Sequence, residues 1–255
     1  MDSKKKENVV LTGKKKIGMK IEFLNKFFFI DQGFGLFRTY TMNPSWEAVR
    51  LIDEQKFDCS NIELVKIQIP VAYDEVEKCV KEIWKKYQPK LVIHCGVSSM
   101  ARNCLHLEKR AVINKERYCQ PDIMSCLPKC CPNDHVDPSP KPLDYVCTEM
   151  HLESIRDEIN KHYYDGHIAI PAKISDFAGE FLCEFIYRCS LQYDCHRTLF
   201  IHVPDINRDL SIEDIAKCLE LIIHLALKQL DSGSSGFYLS KSNKQPRIQS
   251  IAIDR

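Results

Sequence analysis

The chain has 255 residues, 44% of them hydrophobic, with 36 basic and 35 acidic side chains and a net charge of +1. This suits one large core and leaves no charged surface for nucleic acid or membrane; no apolar run spans a bilayer, and the N-terminus lacks the pattern of a secretory signal. Thirteen cysteines, an odd number scattered through the chain, read as reduced, mostly buried thiols of a cytoplasmic protein rather than a disulfide framework.

Residues 1–33 form an irregular N-terminal segment with two candidates for a first strand, 9–12 and 27–30, both of high β-propensity. Asn43-Pro44-Ser45 sets a capping amide before a proline at the first helical position, which predicts a helix to about residue 54. Residues 63–69 alternate as a strand does, a helix is expected near 74–87, and 90–95 is a short apolar run ending at Gly96. The stretch 121–142 is rich in proline and cysteine and reads as an irregular excursion. Beyond it the pattern predicts a helix near 144–161, a strand at 166–170, a helix at 179–193, a strand at 198–203 and a helix at 212–230. Residues 232–255 read as a polar tail. Strands alternating with helices imply a single α/β domain, about 34–231, with a largely parallel sheet covered on both faces.

Two residues stand out chemically. Cys183 falls just inside an expected helix start, and His202 near the end of an expected strand. A thiol attacks carbonyls as its thiolate, which a helix N-terminus and a neighbouring imidazole both favour. Cys183 taken alone would read as a core thiol; the partner histidine and the surrounding motif make the nucleophile reading the better one. Cys119, Cys126, Cys130, Cys131 and His135 lack paired C-x-x-C spacing, so no metal site is expected there.

Six ordered segments carry a resemblance. They are Gly33-Phe-Gly-Leu-Phe37, Asn43-Pro-Ser-Trp-Glu-Ala-Val49, Val92-Ile-His-Cys-Gly-Val-Ser98, Leu107-Glu-Lys109, Ser175-Asp-Phe-Ala-Gly-Glu-Phe-Leu-Cys183 and Phe200-Ile-His-Val-Pro204. Together they resemble the pyroglutamyl peptidase I family, animal type. The resemblance implies a three-layer α/β/α fold with a largely parallel mixed central sheet. It also implies a cysteine exopeptidase that removes N-terminal pyroglutamate from peptides, without a cofactor. Cys183 would be the nucleophile, His202 the base and Glu108 the residue orienting the imidazole. Phe34 and Phe37 would sandwich the pyroglutamyl ring. The animal-type likeness favours a monomer over the tetramer of bacterial relatives.

Departures from the family pattern leave alternatives open. One extra residue separates Gly96 from Glu108, which bears on how the carboxylate is aimed; Glu116 is the substitute. Glu184 stands where Asp or Asn is usual, and Leu36 replaces a proline. Deleting 14–33 would restore the family's start, so that segment reads as an insertion or a retained intron. The alternative functions are an inactive or redirected homologue acting as a binding protein, and a cysteine-rich metal-binding module.

Overall fold

The structure, a computed structural model, describes residues 7–15, 42–58, 62–113, 118–128, 143–206, 209–233 and 248–251. Among them the elements run β1 (Glu7–Lys15), α1 (Pro44–Leu51), α2 (Gln55–Asp58), β2 (Ile62–Pro70), α3 (Tyr73–Glu82), β3 (Leu91–Val97), β4 (Leu105–Glu108), β5 (Arg110–Val112) and β6 (Leu143–Cys147). Then follow α4 (Leu152–Tyr164), β7 (Ala172–Ser175), α5 (Leu182–Leu191), β8 (Thr198–Val203), α6 (Ile212–Gly233) and β9 (Ile248–Ile251).

Six strands make the central sheet in the order β2-β1-β3-β8-β4-β7. The first four are parallel; β4 joins antiparallel to β8, and β7 runs parallel to β4. The sheet is therefore mixed and mostly parallel. A smaller antiparallel sheet, β5-β6-β9, lies beside it.

Strand periodicity divides the side chains between two layers. Leu91, Ile93, Cys95 and Val97 of β3, with Leu199, Ile201 and Val203 of β8, join the apolar core formed with α1, α4 and α6. Val92 and Phe200 point the other way, into a second core with α3 and α5. Each fully buried aliphatic or aromatic side chain contributes roughly 1.5–3 kcal/mol, so the two cores hold the three layers together.

Local chemistry explains the element ends. The Asn43 side chain accepts hydrogen bonds from the Ser45 amide (3.0 Å) and hydroxyl (2.8 Å), and Pro44 opens α1. Helix α3 passes into a π-helical turn, Ile83–Tyr87, which stops at Gln88 with φ 45°. In α6, Ile215, Leu219, Ile222, Ile223, Ala226 and Leu230 repeat at helical spacing on the buried side.

Two expectations are corrected. The helix expected at 144–161 is a strand followed by a helix: Leu143–Cys147 pairs with β5, and α4 starts only at Leu152, where His151 Nδ1 accepts the Ser154 amide at 3.2 Å. The strand expected at 166–170 is the turn that ends α4. Gly166 there takes φ 73°, and β7 begins at Ala172, where the Asn160 side chain bonds both main-chain groups (2.7 and 3.0 Å). Within the 232–255 segment, Ile248–Ile251 form β9 against β6. The strand between β2 and β3 is Glu7–Lys15, which contains 9–12; the other candidate, 27–30, lies outside the described residues. No described helix is long and apolar enough to cross a membrane.

Candidate active site

The α5-facing side of the sheet, where β3, β8 and β4 meet, carries His94, Gly96, Phe200, His202, His106 and Glu108 in place of the aliphatic residues of the opposite face. Gly96 is the register partner of His202 on β8, and His106 is the partner of His202 from β4. Continuing that antiparallel register sets Glu108 diagonal to His202 on the same face. The Glu108 carboxylate meets His202 Nδ1 at 2.7 Å, and both are buried. Glu108 thus reaches the imidazole directly, and Glu116 lies outside the described residues.

Cys183 is the second residue of α5, preceded by a left-handed turn at Gly179 with φ 94°. This position puts the sulfur at the positive end of the helix dipole. Its distance from the sheet is set by Gly96. A Cβ there would lie 2.9 Å from Cys183 Sγ, 3.1 Å from Phe200 Cζ and 3.5 Å from His202 Cδ2. Only a residue without a side chain leaves room for thiol and imidazole to sit together over the strand.

Burial alone would disfavour an imidazolium at His202. The charge and hydrogen bond of Cys183 and the hydrogen bond and charge of Glu108 more than offset it, raising His202 to about 9. The imidazole is therefore held protonated beside the Cys183 sulfur, an arrangement that favours a reactive thiolate. The Phe200 ring packs against the imidazole, centroids 4.7 Å apart.

Helix α5 also anchors the strand that carries the carboxylate. Tyr187, fully buried one turn after Cys183, donates its hydroxyl to the Glu108 carbonyl at 2.8 Å. Ser190, nearly a further turn along, bonds His94 Nε2 at 2.6 Å and Trp84 Nε1 at 3.3 Å, tying the helix to β3 and to the π-helical turn after α3. Glu184, beside the nucleophile in sequence, accepts the Val112 amide at 3.3 Å.

The sequence reading missed His106. It is buried, with Nδ1 3.9 Å from the Glu108 carboxylate and Nε2 without a hydrogen-bond partner among the described residues. Burial first, then Lys173 and His202, outweigh the attraction of Glu108 and hold it down at about 4, so it stands neutral beside the carboxylate. A histidine two positions before Glu108 in an alternating strand was the available signal. Phe34 and Phe37 lie outside the described residues, as do Cys130, Cys131 and His135, whereas Cys119 and Cys126 are exposed.

A buried thiol, imidazole and carboxylate in contact at a helix start over an α/β/α sheet are the working parts of a cysteine-type hydrolase. Comparison with known proteins narrows this. The family model described as pyroglutamyl peptidase matches residues 29–230, and the chain belongs to that family. It is 29% identical over 204 residues to human pyroglutamyl-peptidase 1, covering 78% of this chain and 89% of the human one. It is 30% identical over 203 residues to pyrrolidone-carboxylate peptidase 2 of Caldanaerobacter subterraneus subsp. tengcongensis, covering 74% and 90%. Among solved structures, pyroglutamyl peptidase I from Bacillus amyloliquefaciens superposes with a TM-score of 0.61 at 25% identity, over 87% of this chain and 95% of that one. The pyrrolidone carboxyl peptidase of Thermococcus litoralis shares the fold with a TM-score of 0.64 at 19% identity, over 89% and 96%.

Proposed function

We propose that this protein is a cysteine exopeptidase that removes N-terminal pyroglutamate from peptides, with Cys183 as nucleophile, His202 as acid and base, and Glu108 as the group that orients the imidazole. The observation that carries this reading is the contact set itself: Glu108 2.7 Å from His202 Nδ1, and Cys183 hydrogen-bonded to the same imidazole.

The reaction follows from the resting charges. The Cys183 thiolate adds to the carbonyl carbon of the pyroglutamyl residue, and the carbonyl oxygen takes up the negative charge. Main-chain N–H groups in the first turn of α5, which have no partner within their own helix, are suitably placed to steady that oxyanion. As the tetrahedral intermediate collapses, the imidazolium passes its proton to the departing amine and a thioester remains on Cys183. The neutral imidazole then draws a proton from water, whose oxygen attacks the thioester. Pyroglutamate leaves, and thiolate and imidazolium are restored. Glu108 holds the ring in one orientation throughout and stabilises its charged form.

Pyroglutamate is a closed lactam without a charged amine, so its pocket needs apolar walls and few polar contacts. Phe34 and Phe37 are the residues proposed to flank the ring. The protein is proposed to act as a cytoplasmic monomer, needing no cofactor, with 14–33 an insertion before the pocket's first loop.

Hydrolysis of a fluorogenic pyroglutamyl amide tests the proposal, using the full chain and a form lacking 14–33. Turnover is expected and should fall by ~10⁴-fold or more on Cys183→Ala, with circular dichroism unchanged. Turnover that survives that substitution, or none from either folded form, would overturn the reading.

A further inference from the structure

The far ends of α5 and β8 hold a second cluster of chemically capable side chains. The 3₁₀ turn Cys195–Arg197 links the two elements, and the loop after β6 passes beside it. One donor atom each from Glu149, Cys195 and His196 lie within 4.8 Å of one another. His196 Nδ1 is 3.1 Å from one Glu149 oxygen, and Cys195 Sγ is 3.8 Å from the other. The sulfur is buried, whereas the imidazole and carboxylate are partly exposed, so the cluster opens to solvent on one side.

We propose that Glu149, Cys195 and His196 form a binding site for a thiophilic divalent cation of the zinc class, with solvent completing the coordination. Tetrahedral zinc bound by sulfur, nitrogen and oxygen at ordinary bond lengths separates neighbouring ligand atoms by roughly 3.3–3.6 Å. His196 at 3.1 Å from one Glu149 oxygen, Cys195 at 3.8 Å from the other, and all three donors within 4.8 Å of one another need only small side-chain adjustments to reach that spacing. A surface His–Glu pair is commonplace. A thiol brought inside the same radius makes the set one that zinc prefers over magnesium or calcium.

The scaffold is held independently of any ion. The Cys195 carbonyl accepts the Glu149 amide at 2.8 Å and the Thr148 hydroxyl at 3.2 Å, and the same hydroxyl reaches the Thr198 carbonyl at 2.7 Å. Asp194 caps the turn, accepting the His196 amide at 3.0 Å and Arg197 Nε at 2.6 Å. Donors on a fixed framework lose little freedom when an ion binds. Binding replaces the Cys195 thiol proton, which is released, and leaves a metal–thiolate bond.

The site is remote from the catalytic set. From Thr198 to His202 the strand alone spans about 13 Å, at ~3.3 Å per residue. A bound ion would cross-link the loop after β6 to the α5–β8 turn and stabilise the folded chain by mass action, without entering the reaction.

Cobalt(II) titration of the metal-free, phosphine-reduced full chain supplies the test. The expected result is one saturable equivalent, with thiolate-to-metal charge-transfer absorption and tetrahedral visible bands. Cys195→Ser should abolish the charge-transfer band. His196→Ala, an exposed change that leaves the core intact, should weaken apparent affinity by more than ~100-fold, beyond the loss typical of a ligand's supporting partner. Cys126→Ser and Cys183→Ser should leave both features in place. Zinc should raise the unfolding temperature of the parent but not of Cys195→Ser. Absence of a thiolate band, its survival in Cys195→Ser, or equal thermal shifts in the two proteins would overturn the proposal.

Discussion

The two faces of the central sheet are made from the same strands, yet they do opposite work. On β3, Leu91, Ile93, Cys95 and Val97 face α1, α4 and α6, while Val92, His94 and Gly96 face α5. On β8, Leu199, Ile201 and Val203 alternate with Phe200 and His202 in the same way. Two neighbouring residues show the difference. Cys95 is fully buried in the apolar layer, and burial pushes its thiol far up, so it stays an inert SH group. One residue on, Gly96 leaves its space to the sulfur of Cys183, which has a charged partner. Reactivity follows from which face a thiol meets, not from depth alone.

The largest effect on this contrast should come from Glu108→Gln. The amide cannot stabilise the imidazolium, so kcat should fall by ~100-fold or more, as for an orienting carboxylate in other triads. The pH profile carries a signature of its own. His202 is protonated up to about 9, so kcat/KM should decline as pH rises through that value. Without the Glu108 contribution, that alkaline limb should move to lower pH. The same raised value acts on stability: the folded chain binds this proton more tightly than the unfolded chain does. The stabilisation is complete below the usual histidine value of 6.5 and lost as pH climbs through about 9. An alkaline limb that does not move would separate Glu108 from the imidazole.

Adding one methyl group on the α5 side makes the next test. Gly96→Ala should press on Cys183 Sγ and His202, lowering kcat by ~100-fold through displacement of the reacting atoms. Leu199→Ala, on the apolar side, should instead cost about 2–5 kcal/mol in urea unfolding and leave kcat nearly unchanged in the folded fraction. Rate and stability measured on both variants should therefore cross over. If both lose rate equally, the division of labour between the faces fails.

His106→Asn should be the mildest change. The folded protein does not charge this residue until about pH 4, whereas the unfolded chain takes up the proton near 6.5. His106 thus removes stability as pH falls between those values. The variant should narrow the difference between unfolding midpoints at pH 7 and pH 4.5, with only a modest effect on kcat. A midpoint difference identical to that of the parent would mean that His106 is not held neutral.

The elements that carry the catalytic chemistry were largely legible in the sequence. Alternation at 63–69 and 198–203, the Asn43-Pro44 start and the amphipathic run after Ile212 are signals fixed by neighbours in the chain, and each leads to the corresponding element. What escaped depends on distant partners. Strand β6 is five residues long and runs towards a helix, and its pairing with β5 and β9, both distant in the chain, makes it a strand. Strands β4 and β7 are four residues each, too short for periodicity to register. The reversal of β4 against β8 is a matter of topology, and with it came the place of His106 opposite His202. Cys183 and His202 could be read from motifs; how they meet could not, because Gly96 is part of the answer.

The bond from Tyr187 to the Glu108 carbonyl has a consequence for heating. Nucleophile and orienting strand hang from one helix, less than two turns apart, so among the described residues neither can melt ahead of the other. Inactivation and global unfolding should occur at the same temperature, and the enzyme would fail as a whole rather than fade.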